Sequence, residues 1–143
     1  MTRKSISAHS NMTEFDDALS QLWMNDVDPA KVTLGLAYYG RSYTLEDESC
    51  NDPGCATSGF GASGVCYDTP GYKTLDQIND DIERNATLVY HDEVAAINVA
   101  TYDSDQWIAY DDEKTFAQKV KYANEHCIGG KTRQRRSVVD HET

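Results

Sequence analysis

The residues that could do covalent or metal chemistry are four cysteines and four histidines. Three of the cysteines fall in one Gly/Pro/Ser-rich stretch. Such a loop buries little apolar surface and gains most from cross-links, so the clustering favours disulfides. The main alternative is zinc, but only Cys50-x4-Cys55 approaches the spacing of a zinc ligand pair, and the histidines complete no pattern. We expect no metal site, and the disulfide candidates, with three connectivities open, are Cys50, Cys55, Cys66 and Cys127.

A second pair of interest, Tyr39 and Arg41, follows a run with almost no polar residue. The run over 32–39 is bounded by Pro29 and Gly40 and lacks clean alternation, which is typical of a strand covered on both faces, as in parallel sheets. Side chains alternate along a strand, so the bulky even positions suit packing under helices, and Tyr39 and Arg41 share the other face. Both lie at the carboxyl end, where ligands bind in barrels and open parallel sheets. They are candidate binding residues.

The elements that must position these residues follow from periodicity. Apolar residues recur at helical spacing between Phe15 and Trp23, after a capping-box pattern at Thr13, which predicts a helix that stops before Asp28-Pro29. The Gly-rich stretch over 42–71 predicts loops with short extended pieces. The remaining predicted elements are a helix over 74–83, antiparallel strands over 87–91, 93–102 and 106–110, and a helix over 114–126 behind an Asp111-Asp112 cap.

Composition and charge exclude several classes of protein. The chain has 143 residues, of which 39% are hydrophobic, so it can form a packed core. Its formal net charge of −11 would repel phosphate backbones and anionic lipids, so we expect no nucleic-acid and no membrane partner. The basic tail over 131–143 resembles a nucleic-acid-binding signal, but its four basic residues in an otherwise acidic chain do not change this expectation. No apolar run approaches the ~20 residues of a membrane helix, and the first residues do not form a signal peptide. Two sequons make Asn11 and Asn85 glycosylation candidates and, with the cysteines, favour an extracellular parent protein.

Several short strings, in their order along the chain, resemble glycoside hydrolase family 18, the chitinases, and most closely the fungal branch. Leu34-Gly-Leu-Ala-Tyr-Tyr-Gly-Arg-Ser-Tyr43 is similar to the family's seventh barrel strand with its Tyr-Gly-Arg-Ser signature. Ser49-Cys-x4-Cys55 and the following Gly-rich stretch resemble the fungal form of a small insertion domain. Asp105-Gln-Trp-Ile-Ala-Tyr-Asp-Asp112, the helix after it and Gly129-Gly130 resemble the segment that returns to the barrel. The resemblance covers residues 8 to 130.

The fold that the resemblance implies is an α+β fragment. It is part of an eight-stranded (β/α)8 TIM barrel, comprising a helix, a buried parallel-type strand and a helix, with an inserted small antiparallel α+β domain. The implied divisions are a barrel helix and strand at 1–41, an insertion domain at 42–112 that is disulfide-rich at 50–66, a barrel helix at 113–130 and a basic tail at 131–143. Because this tail is polar and unlike the family, we expect the strand that follows Gly129-Gly130 in the family to be missing.

The family's catalytic acid has no counterpart in this sequence. In the family, the acetamido oxygen of the substrate attacks the anomeric carbon, and a glutamic acid that ends an Asp-x-x-Asp-x-Asp-x-Glu motif protonates the leaving oxygen. The nearest imitation, Asp76-x-x-Asn79-x-Asp81-x-Glu83, has helical spacing instead of the alternation of a strand. We interpret it as a helix surface and expect no catalytic residue.

Three residues are candidates for substrate binding. The resemblance implies that Tyr39 and Arg41 line the sugar cleft, where a tyrosine stacks on or hydrogen-bonds a pyranose and a guanidinium holds hydroxyl or acetamido oxygens. The alternative for Arg41 is an ion pair with Glu46, Asp47 or Glu48. Trp107 has two interpretations, as a sugar platform and as a packing residue, whereas parity makes Tyr38 a core residue.

The predicted function is that of a truncated piece of a secreted fungal-type chitinase, which hydrolyses β-1,4-linked N-acetylglucosamine polymers. The piece holds part of the cleft, lacks the catalytic acid and is expected to be inactive alone, without a cofactor. Its expected partner is chitin or a chito-oligosaccharide, with the remainder of the barrel missing from the chain. Two alternatives stay open, a non-catalytic chitin-binding module and an inactive remnant.

Overall fold

The computed structural model describes residues 4–65 and 68–134, with side chains as far as residue 132. Cys66 and the tail after residue 134 therefore lie outside the described residues. A 3-10 turn at Pro29–Lys31 precedes the first strand. The elements are α1 (Met12–Met24), β1 (Thr33–Ala37), β2 (Tyr39–Leu45), β3 (Thr57–Phe60), β4 (Tyr72–Thr74), α2 (Leu75–Asn85), β5 (Ala86–Asp92), β6 (Ile97–Tyr102), β7 (Gln106–Tyr110), α3 (Glu113–Glu125) and β8 (Gly130–Gln134). The α+β class is confirmed. None of the described helices is both long and apolar enough to span a bilayer.

Helix α1 has the predicted apolar stripe but a different cap. Asn11 caps the helix, since its side-chain oxygen accepts a hydrogen bond from the Thr13 amide at 2.8 Å, so the capping-box prediction at Thr13 was wrong by two residues. The helix ends at Met24, before Asp28-Pro29, as predicted. Leu19 is buried, and Phe15 and Trp23 pack beside it.

The predicted buried strand divides into two strands that belong to different sheets. β1 ends at Ala37 and β2 begins at Tyr39, so Tyr39 and Arg41 lie just after the parallel-type strand and not within it. Gly40 lets β2 pass close to α2, because a Cβ atom at this position would lie 2.6 Å from the buried Ile78 side chain. The predicted parity holds, since Tyr39 and Arg41 stand two residues apart on one strand.

A strand is present where the sequence predicted none. β8 runs parallel to β1, with Thr33 opposite Gly130 and Ala37 opposite Gln134. Gly129 makes this approach possible, because a Cβ atom there would lie 1.8 Å from the carbonyl oxygen of Ala30. The prediction of a missing strand was therefore wrong, because parallel pairing uses backbone groups that a polar sequence also supplies.

Helices α1 and α3 pack on the same face of β1. Leu34 and Leu36 are buried there with Ala123 and Ile128, as the even-position rule predicts. Tyr38, predicted as a core residue, is partly buried and packs against this cluster, and its ring stacks on Phe116 of α3 with centroids 4.5 Å apart. This helix-strand-helix unit forms one of the two parts of the described chain.

The second part is an antiparallel sheet of six strands between β1 and α3 in sequence. Its strand order is β3-β2-β7-β6-β5, with β4 also paired to β2. Helix α2 covers one face, where Ile78 packs on Ile108 and Tyr102. The other face is covered by the N-terminal segment, through Ile6 and Ala8, and by the loop that contains Cys55. β6 begins at Ile97, four residues later than predicted, because residues 93–96 form a turn.

Candidate functional site

Strand β2 brings Tyr39 and Arg41 to one face of the antiparallel sheet. The Tyr39 ring stacks on the His9 ring, with centroids 4.8 Å apart and planes 16° apart. It also contacts the Tyr72 ring at 4.9 Å. Tyr72 lies on β4 directly opposite Arg41. The sequence therefore identified two members of a four-residue cluster, and the structure adds His9 and Tyr72.

Arg41 is exposed at the edge of this cluster. None of the ion pairs in the described part of the chain includes Arg41, so the predicted alternative of a pair with Glu46, Asp47 or Glu48 is not observed. Its five donors are therefore available to an uncharged or anionic ligand.

The N-terminal segment is held against the sheet by backbone and side-chain hydrogen bonds. The Ile6 amide donates to the Cys55 carbonyl at 2.9 Å, and the Met12 amide donates to the Ala95 carbonyl at 2.8 Å. Ile6 and Ala8 are buried in the core. The segment from Ile6 to Met12, called the N-terminal strap below, is therefore fixed at both ends, and His9 contacts Tyr39 from within it.

A buried ion pair lies beside His9. Lys119 of α3 donates to Asp111, and neither side chain has exposed surface. The Ser10 hydroxyl donates to the second Asp111 oxygen at 2.8 Å. Burial lowers the pKa of Lys119, while Asp111 acts in the opposite direction. Only Asp112 caps α3, by accepting from the Thr115 amide, so the prediction of Asp111 as a capping residue was wrong.

The His9 ring is neutral at physiological pH. Burial is the main cause that lowers its pKa from 6.5 to about 4; Asp111 opposes the shift, and Arg41 and Lys119 add to it. Both ring nitrogens are buried and, among the described residues, neither has a hydrogen-bond partner of normal geometry. The Tyr39 backbone is close enough to favour the protonated ring weakly.

A groove with a volume of about 350 Å³ begins at His9 and Tyr39 and runs between α1 and β1. Its walls are mainly apolar side chains of these two elements, including Phe15, Leu22 and Leu34. The groove thus joins the aromatic cluster to the face of the helix-strand unit.

Trp107 is not a sugar platform. It has no exposed surface, and its indole nitrogen donates to the Asn51 carbonyl at 2.8 Å. Tyr43 packs against its ring at 6.1 Å. The prediction of Trp107 as a substrate-binding residue was wrong, because the disulfide loop and the N-terminal segment cover this face of β7.

The cysteines are only partly cross-linked in the described structure. Cys50 and Cys55 form a disulfide, whereas Cys127 has an exposed free thiol. Cys55 and Cys50 were predicted as candidates, but the candidacy of Cys127 is not supported, and that of Cys66 lies outside the described residues. Among the described residues, no group of three or more His, Cys, Asp or Glu side chains has metal-binding geometry.

The two sequons lie in different settings. Asn11 caps α1 through its side-chain oxygen. The Asn85 amide nitrogen, at the end of α2, donates to Asp103 at 2.6 Å. Both remain glycosylation candidates.

The acidic string that imitates the catalytic motif lies on α2, as interpreted from its spacing. Asp81 accepts from Lys73 and, at 3.2 Å, from Arg84. Asp111, the carboxylate that interacts electrostatically with His9, is buried and already bonded to Lys119 and Ser10. The site as described offers aromatic contacts and guanidinium donors for binding.

Comparison with known proteins places the chain in a family. The sequence profile of glycosyl hydrolases family 18 matches residues 2–132. Secreted chitinase LysM12 of Penicillium expansum is 32% identical over 133 residues, which cover 87% of this chain and 9% of that protein. Class V chitinase CHIT5a of Medicago truncatula is 34% identical over 104 residues, which cover 73% of this chain and 26% of that protein.

Solved structures agree on the fold. A class V chitinase mutant from Cycas revoluta in complex with (GlcNAc)3 has a TM-score of 0.76 at 24% identity, over 90% of this chain and 36% of that one. Human YKL-39, a pseudo-chitinase with retained chitooligosaccharide binding properties, has a TM-score of 0.75 at 24% identity, over 82% and 31%. The chain spans only a minor part of the length of each relative. Since the family profile covers nearly all of its residues, the chain belongs to glycosyl hydrolase family 18.

Proposed function

We propose that this chain is part of a secreted, fungal-type chitinase and that it contributes one wall of the cleft for β-1,4-linked N-acetylglucosamine. In this proposal α1, β1, α3 and β8 are two successive helix-strand units of a TIM barrel, and residues 42–112 are the insertion domain between them. The parallel pairing of β1 with β8, across the whole antiparallel sheet in sequence, supports this division. The disulfide and a relative named as secreted support an extracellular parent protein.

The observation that carries the proposal is an exposed arginine beside a fixed phenol. Arg41 offers its planar donors to hydroxyl or acetamido oxygens. Because two rings already contact Tyr39, its hydroxyl, and not its ring face, is the group that it offers to a sugar. A neutral ligand also suits an acidic surface, since the chain carries a net charge of −11.

Hydrolysis requires residues outside this chain. We propose that the remainder of the barrel supplies the catalytic acid and closes the cleft over the groove beside β1. The chain alone then binds chito-oligosaccharide weakly and does not cleave it. An assay of the purified chain with a fluorogenic chitobioside checks this. Turnover that a chitinase inhibitor abolishes would show that the chain does contain a catalytic acid.

Calorimetric titration of the purified chain with chitotetraose tests the binding site. We expect Arg41→Ala to weaken binding at least about tenfold, since it removes hydrogen bonds from a charged donor, and Tyr39→Phe to weaken it several-fold. Arg84→Ala is the matched control, because Arg84 is an exposed arginine on α2 away from the cluster. The assignment of chitin as the ligand would be wrong if the Arg41→Ala variant and the unmodified chain bound chitotetraose with equal affinity. It would also be wrong if the unmodified chain bound cellotetraose as tightly as chitotetraose.

A non-catalytic chitin-binding protein is the second candidate function. It is favoured by the state of Asp111, the carboxylate that interacts with His9, because Asp111 is buried and already bonded to Lys119 and Ser10. Co-expression with a segment that carries the other barrel strands separates the two candidates: restored turnover supports the chitinase, whereas tight binding by this chain without any turnover in the complex supports the binding protein.

A further inference from the structure

His9 makes the closest ring contact with Tyr39 but is itself shielded from solvent at its polar atoms. Its ring is nearly parallel to that of Tyr39, and both ring nitrogens are buried. A ligand in the cleft therefore cannot hydrogen-bond to His9. The direct ring contact makes Tyr39 the group through which the His9 ring can act on a ligand.

The position of His9 is fixed by its neighbour in the strap. Ser10 is bonded to Asp111, which in turn is paired with Lys119 of α3. The orientation of the His9 ring is thereby tied to the helix-strand unit, whereas Tyr39 belongs to the antiparallel sheet. The stack is a contact between the two parts of the chain.

We propose that His9 is a positioning residue for carbohydrate binding: its ring, stacked on Tyr39, sets the direction of the Tyr39 hydroxyl beside Arg41. This inference rests on the proposed function, because it assumes that Tyr39 and Arg41 hold a sugar. Stacked aromatic pairs prefer defined offsets, so removal of one ring releases the other to sample more orientations.

Protonation of His9 should disturb the same stack. The ionisable and charged groups around the ring are Arg41 on β2, Asp111 after β7 and Lys119 on α3, with Tyr39 and Tyr72 as neighbouring phenols. A proton on His9 adds positive charge beside Arg41 and Lys119 inside a buried site, and only Asp111 and, weakly, the Tyr39 backbone favour it among the causes that act on the ring. With a pKa of about 4 for the ring, the stack is intact at neutral pH and weakens as the pH falls toward 4.

The test compares chitotetraose affinity of full-length variants across pH. His9→Ala should weaken binding about three- to tenfold at pH 7, whereas His9→Phe, which keeps a flat ring, should bind within about twofold of the unmodified chain. Between pH 6 and pH 4 the affinity of the unmodified chain should fall more steeply than that of His9→Phe. The matched control is His126→Ala, which removes a second stacked histidine that lies on Tyr122 of α3, at 3.9 Å.

Two results would overturn the proposal. One is unchanged affinity in His9→Ala; the other is an equal loss in His9→Ala and His9→Phe in variants with native circular dichroism, since the flat ring would then not be the relevant feature. If the unmodified chain binds no chitotetraose, the proposed function fails, and the ring-proton resonances of Tyr39 decide on His9 separately. The Tyr39 resonances should shift in His9→Ala. They should also shift when the unmodified chain is acidified, but not when His9→Phe is acidified. Resonances that stay unchanged in His9→Ala and in the acidified unmodified chain would contradict the positioning role.

Discussion

The two parts of the molecule differ in how completely their own residues cover them. The antiparallel sheet has α2 on one face and the N-terminal strap with the disulfide loop on the other, so residues such as Val99, Trp107 and Ile108 have no exposed surface. In the part of the chain that the structure describes, the parallel pair has helices on one face only, and a groove of about 350 Å³ lies open between α1 and β1. Met24 of α1 is 77% exposed. The antiparallel sheet is thus covered on both faces, whereas the helix-strand unit leaves a groove open beside its parallel pair.

The ion pair between Asp111 and Lys119 joins the two parts, and its loss should have the largest effect. Lys119→Ala leaves Asp111 buried without its partner, which costs about 3–5 kcal/mol of unfolding free energy. Denaturant unfolding followed by circular dichroism measures this loss. Lys121→Ala is the control, since Lys121 is exposed on the same helix and its pair with Glu125 is worth little. A loss similar to that of the control would show that the pair does not hold the parts together.

The His9 contact between the parts should make stability depend on pH. The pKa of His9 is lower in the folded chain, about 4, than its ordinary value of 6.5, so the unfolded chain binds the proton more readily. Stability contributed by the neutral ring is complete above pH 6.5 and is lost as the pH falls toward 4, by an amount on the order of 3 kcal/mol. The unfolding free energy is measured at pH 7 and pH 4 for the unmodified chain and for His9→Phe. The loss between the two pH values should be larger in the unmodified chain, and the excess is the contribution of His9. Parallel pH profiles would contradict this expectation.

The disulfide belongs to the antiparallel sheet alone and should have the smallest effect of the three. Because Cys50 and Cys55 close a short loop, replacing both with serine costs about 2 kcal/mol. Hydrogen exchange should show the loss in the strap, where the Ile6 amide bonds to Cys55, and not in β8. Faster exchange throughout both parts would indicate that they unfold as one unit.

The sequence predicted the elements whose stability is local. The apolar stripes of α1 and α2 and the strand over 106–110 needed only periodicity, since the side chains of one element define its buried face. The start of β6 was placed too early because Val94 is apolar yet 80% exposed in the turn before it. β8 was missed because its pairing depends on backbone groups and on two glycines that permit a close approach.

The candidate site was predictable only where its residues share a strand. Tyr39 and Arg41 follow from parity on β2. His9 and Tyr72 reach them from distant positions in the sequence, and nothing in the spacing indicates a stack. Asp111 was misinterpreted because its partner Lys119 lies two helical turns away and Ser10 lies near the other end of the chain. Trp107 was misassigned because its position along β7 does not reveal that the disulfide loop and the N-terminal segment cover this face of the sheet.

The pairing of Thr33 with Gly130 also bears on the order of folding. Most of the chain lies between these residues, so the parallel pair is a contact of very high sequence separation and closes at a large entropic cost unless the intervening segment is already compact. The hairpins of β5, β6 and β7 are local and form without this cost. The antiparallel sheet should therefore form first and bring β1 and β8 side by side.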